Sequence, residues 1–259
     1  MIRSLDGVGW DDLAEVFTEA FSDYAVAMRM TPAALAAMQV RRGYVASSSF
    51  GAWDGSRLVG FVLTCRDGAR VYNSGTGVAP GHRRGGLARE LVERVIASTP
   101  GAAYVLEVLE DNAKAIALYR AAGFVEVRRL QCWTYAGEAR PGAIAVDPDL
   151  DGFAAEADVE PSWQNSMSSI RRAPEPPIVL GDARGIVVVF AASGDVPLLV
   201  VRRDARRRGH GRNLLAAAAN AAGKPLRILN LDDRATGIAA FLEAAGATRT
   251  VRQLEMVRR

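Results

Sequence analysis

An internal repeat constrains the fold of this chain more than any other feature of its sequence. RRGGLA at 83–88 resembles RRRGHG at 206–211, and AAG at 121–123 recurs at 244–246. Both pairs are displaced by 123 positions, since 206 − 83 and 244 − 121 give the same number. Two separate motifs that keep one spacing indicate a duplicated domain. A chain of 259 residues is long enough for two domains of ordinary size.

The repeat and the local composition predict where the two domains begin and end. MQVRR at 38–42 resembles SSIRR at 168–172 at a displacement of 130, and a shorter connection in the second copy would explain the difference. The stretch 137–160 is rich in Gly, Pro, Asp and Ala and has no clear long period. We therefore expect an N-terminal domain at 1–136, a linker at 137–160 and a C-terminal domain at 161–259.

The hydrophobic pattern of the first copy predicts a mixed α/β layer. Apolar residues recur at helical spacing in DDLAEVFTEAF at 11–21, and Thr31 followed by Pro32 is a typical helix start. An antiparallel meander of about three strands follows, with turns at the Asp-Gly pairs 54–55 and 67–68. A helix, a strand, a helix and a strand complete the copy, so that its order is ααβββαβαβ.

The glycine-rich turn at 83–88 indicates an anion site. Unpaired N–H groups at a helix N-terminus, together with the helix dipole, attract a phosphate. Gly85 and Gly86 leave the main chain accessible, and Arg83 and Arg84 can add charge-assisted hydrogen bonds. The turn is not a P-loop, because no Gly-Lys-Ser/Thr follows it. It also lacks the G-x-G-x-x-G of a dinucleotide-binding βαβ unit, and it follows a meander.

Two motifs in the correct order resemble the GCN5-related N-acetyltransferase (GNAT) family. The acyl-CoA motif of that family, Gln/Arg-x-x-Gly-x-Gly/Ala, is met by Arg83, Gly86 and Ala88. About 25 residues later the pattern Asn-x-x-Ala-x-x-x-Tyr-x-x-x-Gly-Phe is met by Asn112, Ala115, Tyr119, Gly123 and Phe124. The resemblance implies two tandem acyl-CoA N-acyltransferase domains, each an α/β fold with a mostly antiparallel central sheet flanked by helices.

The resemblance implies acetyl-CoA as cosubstrate and a set of residues that hold it. In this family the main chain of the turn holds the CoA diphosphate, and the preceding strand, here GTGV at 75–78, pairs with the pantetheine arm. The N–H of Val78 would polarise the thioester carbonyl. The expected cofactor-binding residues are Gly77, Val78, Arg83, Arg84, Gly85, Gly86, Leu87, Ala88, Asn112, Ala115 and Tyr119.

The same resemblance assigns the proton transfers of a direct acetyl transfer to a primary amine. Tyr119 matches the family tyrosine near the CoA sulfur, and a phenol of pKa ~10 is a reasonable acid for the thiolate. The strand before the turn lacks the glutamate that serves many relatives as general base. Glu107 on the next strand is our candidate base, directly or through water, with Asp23 and Tyr24 as alternatives.

The second copy keeps only half of these residues. Arg206, Gly209 and Gly211 preserve the turn. At the displacement of 123, however, Asn112 becomes Ala235 and Tyr119 becomes Leu242. We therefore predict that the first domain catalyses and that the second is degenerate, with its CoA binding left open.

The composition of the chain limits the classes of partner and cofactor that we expect it to bind. A formal net charge of +3 is too small to indicate nucleic acid, and no run reaches ~18 apolar residues, so no membrane span is expected. Two cysteines fit a reduced, cytoplasmic protein, and neither histidine has a second ligand at zinc-like spacing, so no metal is expected. The acceptor would be a small-molecule or peptide amine; a homodimer is left open. The alternatives are a non-catalytic acyl-CoA-binding or regulatory module and an acetyltransferase similar to mycothiol synthase.

Overall fold

The computed structural model describes residues 1–23, 29–145 and 148–259. Its internal contacts divide the chain into two units of similar size. The first unit consists of Met1–Val127 together with Glu255–Arg259, and the second is Arg128–Leu254. Each unit is described by itself.

The first unit has the predicted order of elements with one short strand added at the start. Its elements are β1 (Ile2–Ser4), α1 (Trp10–Ala20), α2 (Pro32–Arg42), β2 (Phe50–Asp54), β3 (Arg57–Asp67), β4 (Arg70–Val78), α3 (Leu87–Ser98), β5 (Ala103–Leu109), α4 (Ala113–Ala121) and the first residues of β6 (Val125–Tyr135). Strand β1 was not predicted, because three residues are too few to show a period.

The core of the first unit forms where α1 covers the meander. Strands β1 to β4 pair antiparallel in sequence order, and β5 joins β4 in parallel. Leu13 and Phe17 of α1 pack against Phe61 and Leu63 of β3. The predicted Asp-Gly turns separate β2 from β3 and β3 from β4. The helical period of α1 and the strand period of β3 therefore bury their apolar faces against each other.

The second unit repeats this plan. Its elements are the remainder of β6, α5 (Leu150–Ala155), α6 (Met167–Arg171), β7 (Ile178–Asp182), β8 (Gly185–Phe190), β9 (Asp195–Val201), α7 (His210–Ala222), β10 (Leu226–Asp232), α8 (Thr236–Ala244) and most of β11 (Thr248–Arg258). Strands β7 to β9 form an antiparallel meander, β10 joins β9 in parallel, and β6 pairs antiparallel with β10. The predicted mixed α/β class with mostly antiparallel strands is confirmed in both units.

The ends of two strands depart from sequence order. Residues 128–135 of β6 close the first repeat but belong to the second unit, and 255–259 close the second repeat but belong to the first. Helix α5 lies inside the stretch predicted as a linker; it escaped notice because it is short and Phe153 is its only buried residue. The domain boundaries at 136 and 161 therefore stay a prediction about the duplicated copies, and the folded units follow a different division.

Candidate active site

The turn between β4 and α3 presents its main chain to solvent. Gly86 is the N-cap of α3 in the left-handed conformation, with φ 82°, and its helix has no side-chain cap. The first N–H groups of a helix have no acceptor within the helix, so those of Leu87 and Ala88 point out of its N-terminus. A Cβ built at Gly85 or Gly86 would meet no atom within 4 Å. The space above the turn is thus open to an anion, and these four predicted residues lie together.

Arg83 has partners that sequence reasoning did not foresee. Its Nε donates to the Val78 carbonyl (3.0 Å) and its Nη2 to the Ala20 carbonyl (2.9 Å). Nη1 and Nη2 also donate to the two carboxylate oxygens of Asp23, at 2.6 and 2.9 Å. The guanidinium therefore ties the turn to β4 and to the end of α1, whereas the neighbouring Arg84 is exposed and has a positive φ of 71°.

Strands β4 and β5 part on the way to this turn. Their pairing runs from Arg70 and Ala103 to Asn73 and Leu106, and each strand continues beyond that point. The Ala79 N–H donates to the Val59 carbonyl (2.8 Å) on the β3 side. Because hydrogen bonding alternates along an antiparallel strand, the N–H of Val78 faces the other side, where β5 has separated. This is the position predicted for the donor to a thioester carbonyl.

An irregularity in β4 accompanies the separation. The register with β3 shifts between Leu63 and Thr64, so that Ser74 is an extra residue. Asn73 holds the bulge: its Oδ1 accepts from the Gly75 N–H (3.0 Å) and its Nδ2 donates to Thr76 (2.8 Å). A bulge of this kind bends a strand and ends its pairing with a neighbour.

Close packing explains why residue 77 is a glycine. A Cβ at this position would lie 2.6 Å from the Phe61 ring and 2.9 Å from the Cβ of Ala20. Its predicted contact with a pantetheine arm would use main-chain atoms. The close packing of β4 against α1 fixes the position of those atoms.

Glu107 lies on β5 one residue beyond the last pair with β4. The buried Tyr72 hydroxyl donates to its Oε2 at 2.6 Å. Burial raises the pKa of Tyr72 well above its usual value, and the nearby Glu107 carboxylate raises it further. Tyr72 therefore stays protonated and keeps donating, which orients the Glu107 carboxylate.

The two alternative bases fare differently. The hydrogen bond from Arg83 lowers the pKa of Asp23, so that this carboxylate holds a proton less readily than usual. Its geometry makes it a partner of the turn, and a weaker candidate for a base. Tyr24 lies outside the described residues.

Helix α4 holds the three remaining predicted residues. Asn112 is its N-cap, and the Asn112 Oδ1 accepts from the Ala115 N–H at 3.1 Å. Tyr119 is buried two turns further on and meets Phe124 edge to face, with 5.7 Å between ring centroids. The amide and the phenol predicted to contact the cosubstrate thus lie on one helix, and the amide also caps that helix.

The turn of the second unit repeats this arrangement. Nε of Arg206 donates to the Val201 carbonyl (2.9 Å) and Nη2 to the Glu156 carbonyl (3.2 Å), while Nη1 contacts Asp158 at 3.0 Å. Arg207 and Gly209 have positive φ values of 61° and 85°, as Arg84 and Gly86 have in the first turn. The sequence named Asp23 only as an alternative base and did not predict either ion pair, because the displacement of the two aspartates is 158 − 23 = 135, outside the period of the repeat.

The second unit has other residues at the positions predicted to take part in catalysis. The position of Glu107 is taken by Asn230 (107 + 123 = 230), whose φ is 53° and whose Oδ1 accepts from Gln253 at 2.7 Å. An amide is no general base. The N-cap of helix α8 is Ala235, which makes no side-chain cap, and Leu242 occupies the position of Tyr119.

Over 1–23, 29–145 and 148–259, no three His, Cys, Asp or Glu side chains are grouped so that they could hold a metal ion. Over the same ranges, every helix is too short or too polar to cross a membrane.

Residues 10–124 match the family described as Acetyltransferase (GNAT) family. Curated proteins give no match. A solved GCN5-related N-acetyltransferase from Sphaerobacter thermophilus is 16% identical, with a TM-score of 0.72, over 100% of this chain and 95% of its own. A tandem GNAT protein from the clavulanic acid biosynthesis pathway is 16% identical, with a TM-score of 0.65, over 99% and 98%. These two likenesses show the fold, and with the family match they confirm the predicted tandem architecture.

Proposed function

We propose that this protein is an acetyl-CoA-dependent N-acetyltransferase, because its residues 10–124 match the Acetyltransferase (GNAT) family. Its acceptor would be a primary amine of a small molecule or peptide, its first unit would catalyse, and its compartment would be the cytoplasm. One observation carries the proposal: the uncapped N-terminus of α3 and the separated ends of β4 and β5 occur in the same unit as Glu107 and Tyr119.

The turn fits the diphosphate of CoA. The N–H groups at the start of α3 would donate to it, and the open space over Gly85 and Gly86 would admit it. The charge of Arg83 lies beside this site, although its hydrogen bonds go to protein groups. We therefore assign the diphosphate contacts to main-chain N–H groups.

Acetyl-CoA supplies an activated thioester, and the protein supplies hydrogen bonds and protons. The Val78 N–H would donate to the carbonyl oxygen on which negative charge develops. Glu107 would take the proton that the amine loses as its nitrogen bonds to the carbonyl carbon. The Tyr119 hydroxyl would give a proton to the sulfur as the carbon–sulfur bond breaks, so that charge and protons balance.

The test combines binding with turnover. Calorimetric titration with acetyl-CoA should show binding, and thiol release should appear with at least one member of a panel of amines and peptides. Tyr119→Phe should then lower kcat by roughly 10²-fold or more while acetyl-CoA still binds.

Tyr104→Phe is the matched control for this substitution. Tyr104 is also buried and lies close to Tyr119, so its change removes a neighbouring hydroxyl from the same interior, and kcat should be unaffected. A wild-type kcat in Tyr119→Phe would show that Tyr119 is not the general acid. Binding of acetyl-CoA without turnover on any amine would instead support the non-catalytic module.

A further inference from the structure

The first arginine of each turn is held by an aspartate that follows the first helix of its unit. In the first unit Arg83 contacts Asp23 and the last residue of α1, Ala20. In the second, Arg206 contacts Asp158 and the residue after α5, Glu156. The two units share this arrangement although the aspartates fall outside the sequence repeat.

The residue next to each arginine explains why a rigid support is needed. Arg84 and Arg207 both have left-handed backbone conformations, which are unfavourable for a residue other than glycine. Such a conformation persists only where its surroundings over-determine it. Four hydrogen bonds from the Arg83 side chain fix the position immediately before Arg84.

We propose that Asp23 is a positioning residue for acetyl-CoA binding, an inference that rests on the proposed function. Its carboxylate orients the Arg83 guanidinium, which binds the Val78 and Ala20 carbonyls and thereby holds the turn in the conformation that directs its N–H groups at the diphosphate. Asp23 acts through Arg83 and does not contact the amine nitrogen or the thioester carbon that react.

The exposure of this ion pair separates a positioning role from a general structural one. The Arg83 and Asp23 side chains are 35% and 59% exposed. Exposed pairs add little to global stability, so that a variant of Asp23 should fold normally. The effect should be confined to the turn.

The experiment compares Asp23→Asn with Asp158→Asn, the equivalent change in the second unit. Asp23→Asn should raise the KM and Kd for acetyl-CoA about tenfold, which corresponds to ~1.4 kcal/mol, and leave kcat at saturating acetyl-CoA unchanged. Asp158→Asn should leave the KM, the Kd and kcat unchanged. The melting temperatures of both variants should lie within a few degrees of that of the wild type. Asp23→Glu, which keeps the carboxylate, should recover part of the affinity.

A second measurement works without any ligand. Amide hydrogen exchange at residues 83–88 should be faster in Asp23→Asn than in the wild type, with exchange at 206–211 unchanged. If the wild type binds no acetyl-CoA, the proposed function fails, and this exchange comparison alone decides the role of Asp23. Equal acetyl-CoA affinity or equal exchange at 83–88 in Asp23→Asn and the wild type would overturn the inference.

Discussion

Gly77 is a residue of the candidate site whose identity is explained by core packing. The strand that carries the Val78 N–H passes directly beneath Phe61 and Ala20, at distances that leave no room for a Cβ. The family resemblance assigns this glycine to the pantetheine strand, and the structure adds a steric reason for its identity. Site geometry and core packing thus depend on the same residue.

The substitution Gly77→Ala should therefore destabilise the fold. A methyl group 2.6 Å from the Phe61 ring forces the ring or the strand to move, and overpacking of this kind costs ~1–3 kcal/mol. We expect the melting temperature in calorimetry to fall by about 3–10 °C. Gly85→Ala is the control, because its Cβ would meet no atom within 4 Å. An unchanged melting temperature for Gly77→Ala would contradict this reading of the packing.

Helix α4 is the element on which structural and chemical roles overlap. Its N-cap, Asn112, is also predicted to contact the cosubstrate, and its buried face holds Tyr119. In the second unit α8 forms without a side-chain cap. A cap is therefore dispensable for forming this helix, which leaves room for Asn112 to serve binding as well.

Substitutions at Asn112 separate its two roles. Asn112→Ala should cost about 1 kcal/mol of stability, as should Thr31→Ala, which removes the matching cap of α2. Asn112→Asp keeps an oxygen for the Ala115 N–H and should retain that stability, but it loses the amide donor. Calorimetric titration should then show about tenfold weaker acetyl-CoA binding for Asn112→Asp and unchanged binding for Thr31→Ala. Wild-type affinity in Asn112→Asp would restrict Asn112 to capping.

At the scale of the whole molecule, the two units are not consecutive along the chain. The first unit is completed by the last five residues, 255–259. Glu255 and Met256 are buried, and Nε of Arg258 donates to the Ala122 carbonyl at the end of α4 (3.1 Å). The unit that contains the candidate site therefore depends on residues that lie more than 120 positions further along the chain than the rest of it.

Deleting 255–259 should destabilise the N-terminal unit even though the deletion lies at the far end of the sequence. Loss of the buried Met256 side chain alone removes contacts worth ~2–5 kcal/mol. Amide hydrogen exchange should show faster exchange in α4 and β5, and calorimetry a lower melting temperature. Deleting only the exposed Arg259 should change neither. Wild-type exchange in α4 after the longer deletion would show that the first unit is complete without these residues.

The sequence by itself determined the duplication, the order of the main elements and the place of the turn. These depend on neighbours a few positions apart: apolar periods, Asp-Gly turns, a Thr-Pro helix start and glycines at a helix entrance. The family resemblance added Asn112, Tyr119 and the cosubstrate. Short features such as β1 and α5 escaped, because three or six residues are too few to express a period.

Tertiary structure alone decided which groups meet. Arg83 and Asp23 are 60 positions apart, and Tyr72 and Glu107 are 35 apart, so that no local pattern records either pair. No sequence pattern indicates either that residues 128–135 of β6 belong to the second unit or that residues 255–258 of β11 belong to the first. The physical reason is that secondary structure follows from the periodicity of one segment, whereas a hydrogen-bond partner is selected by the path of the whole chain.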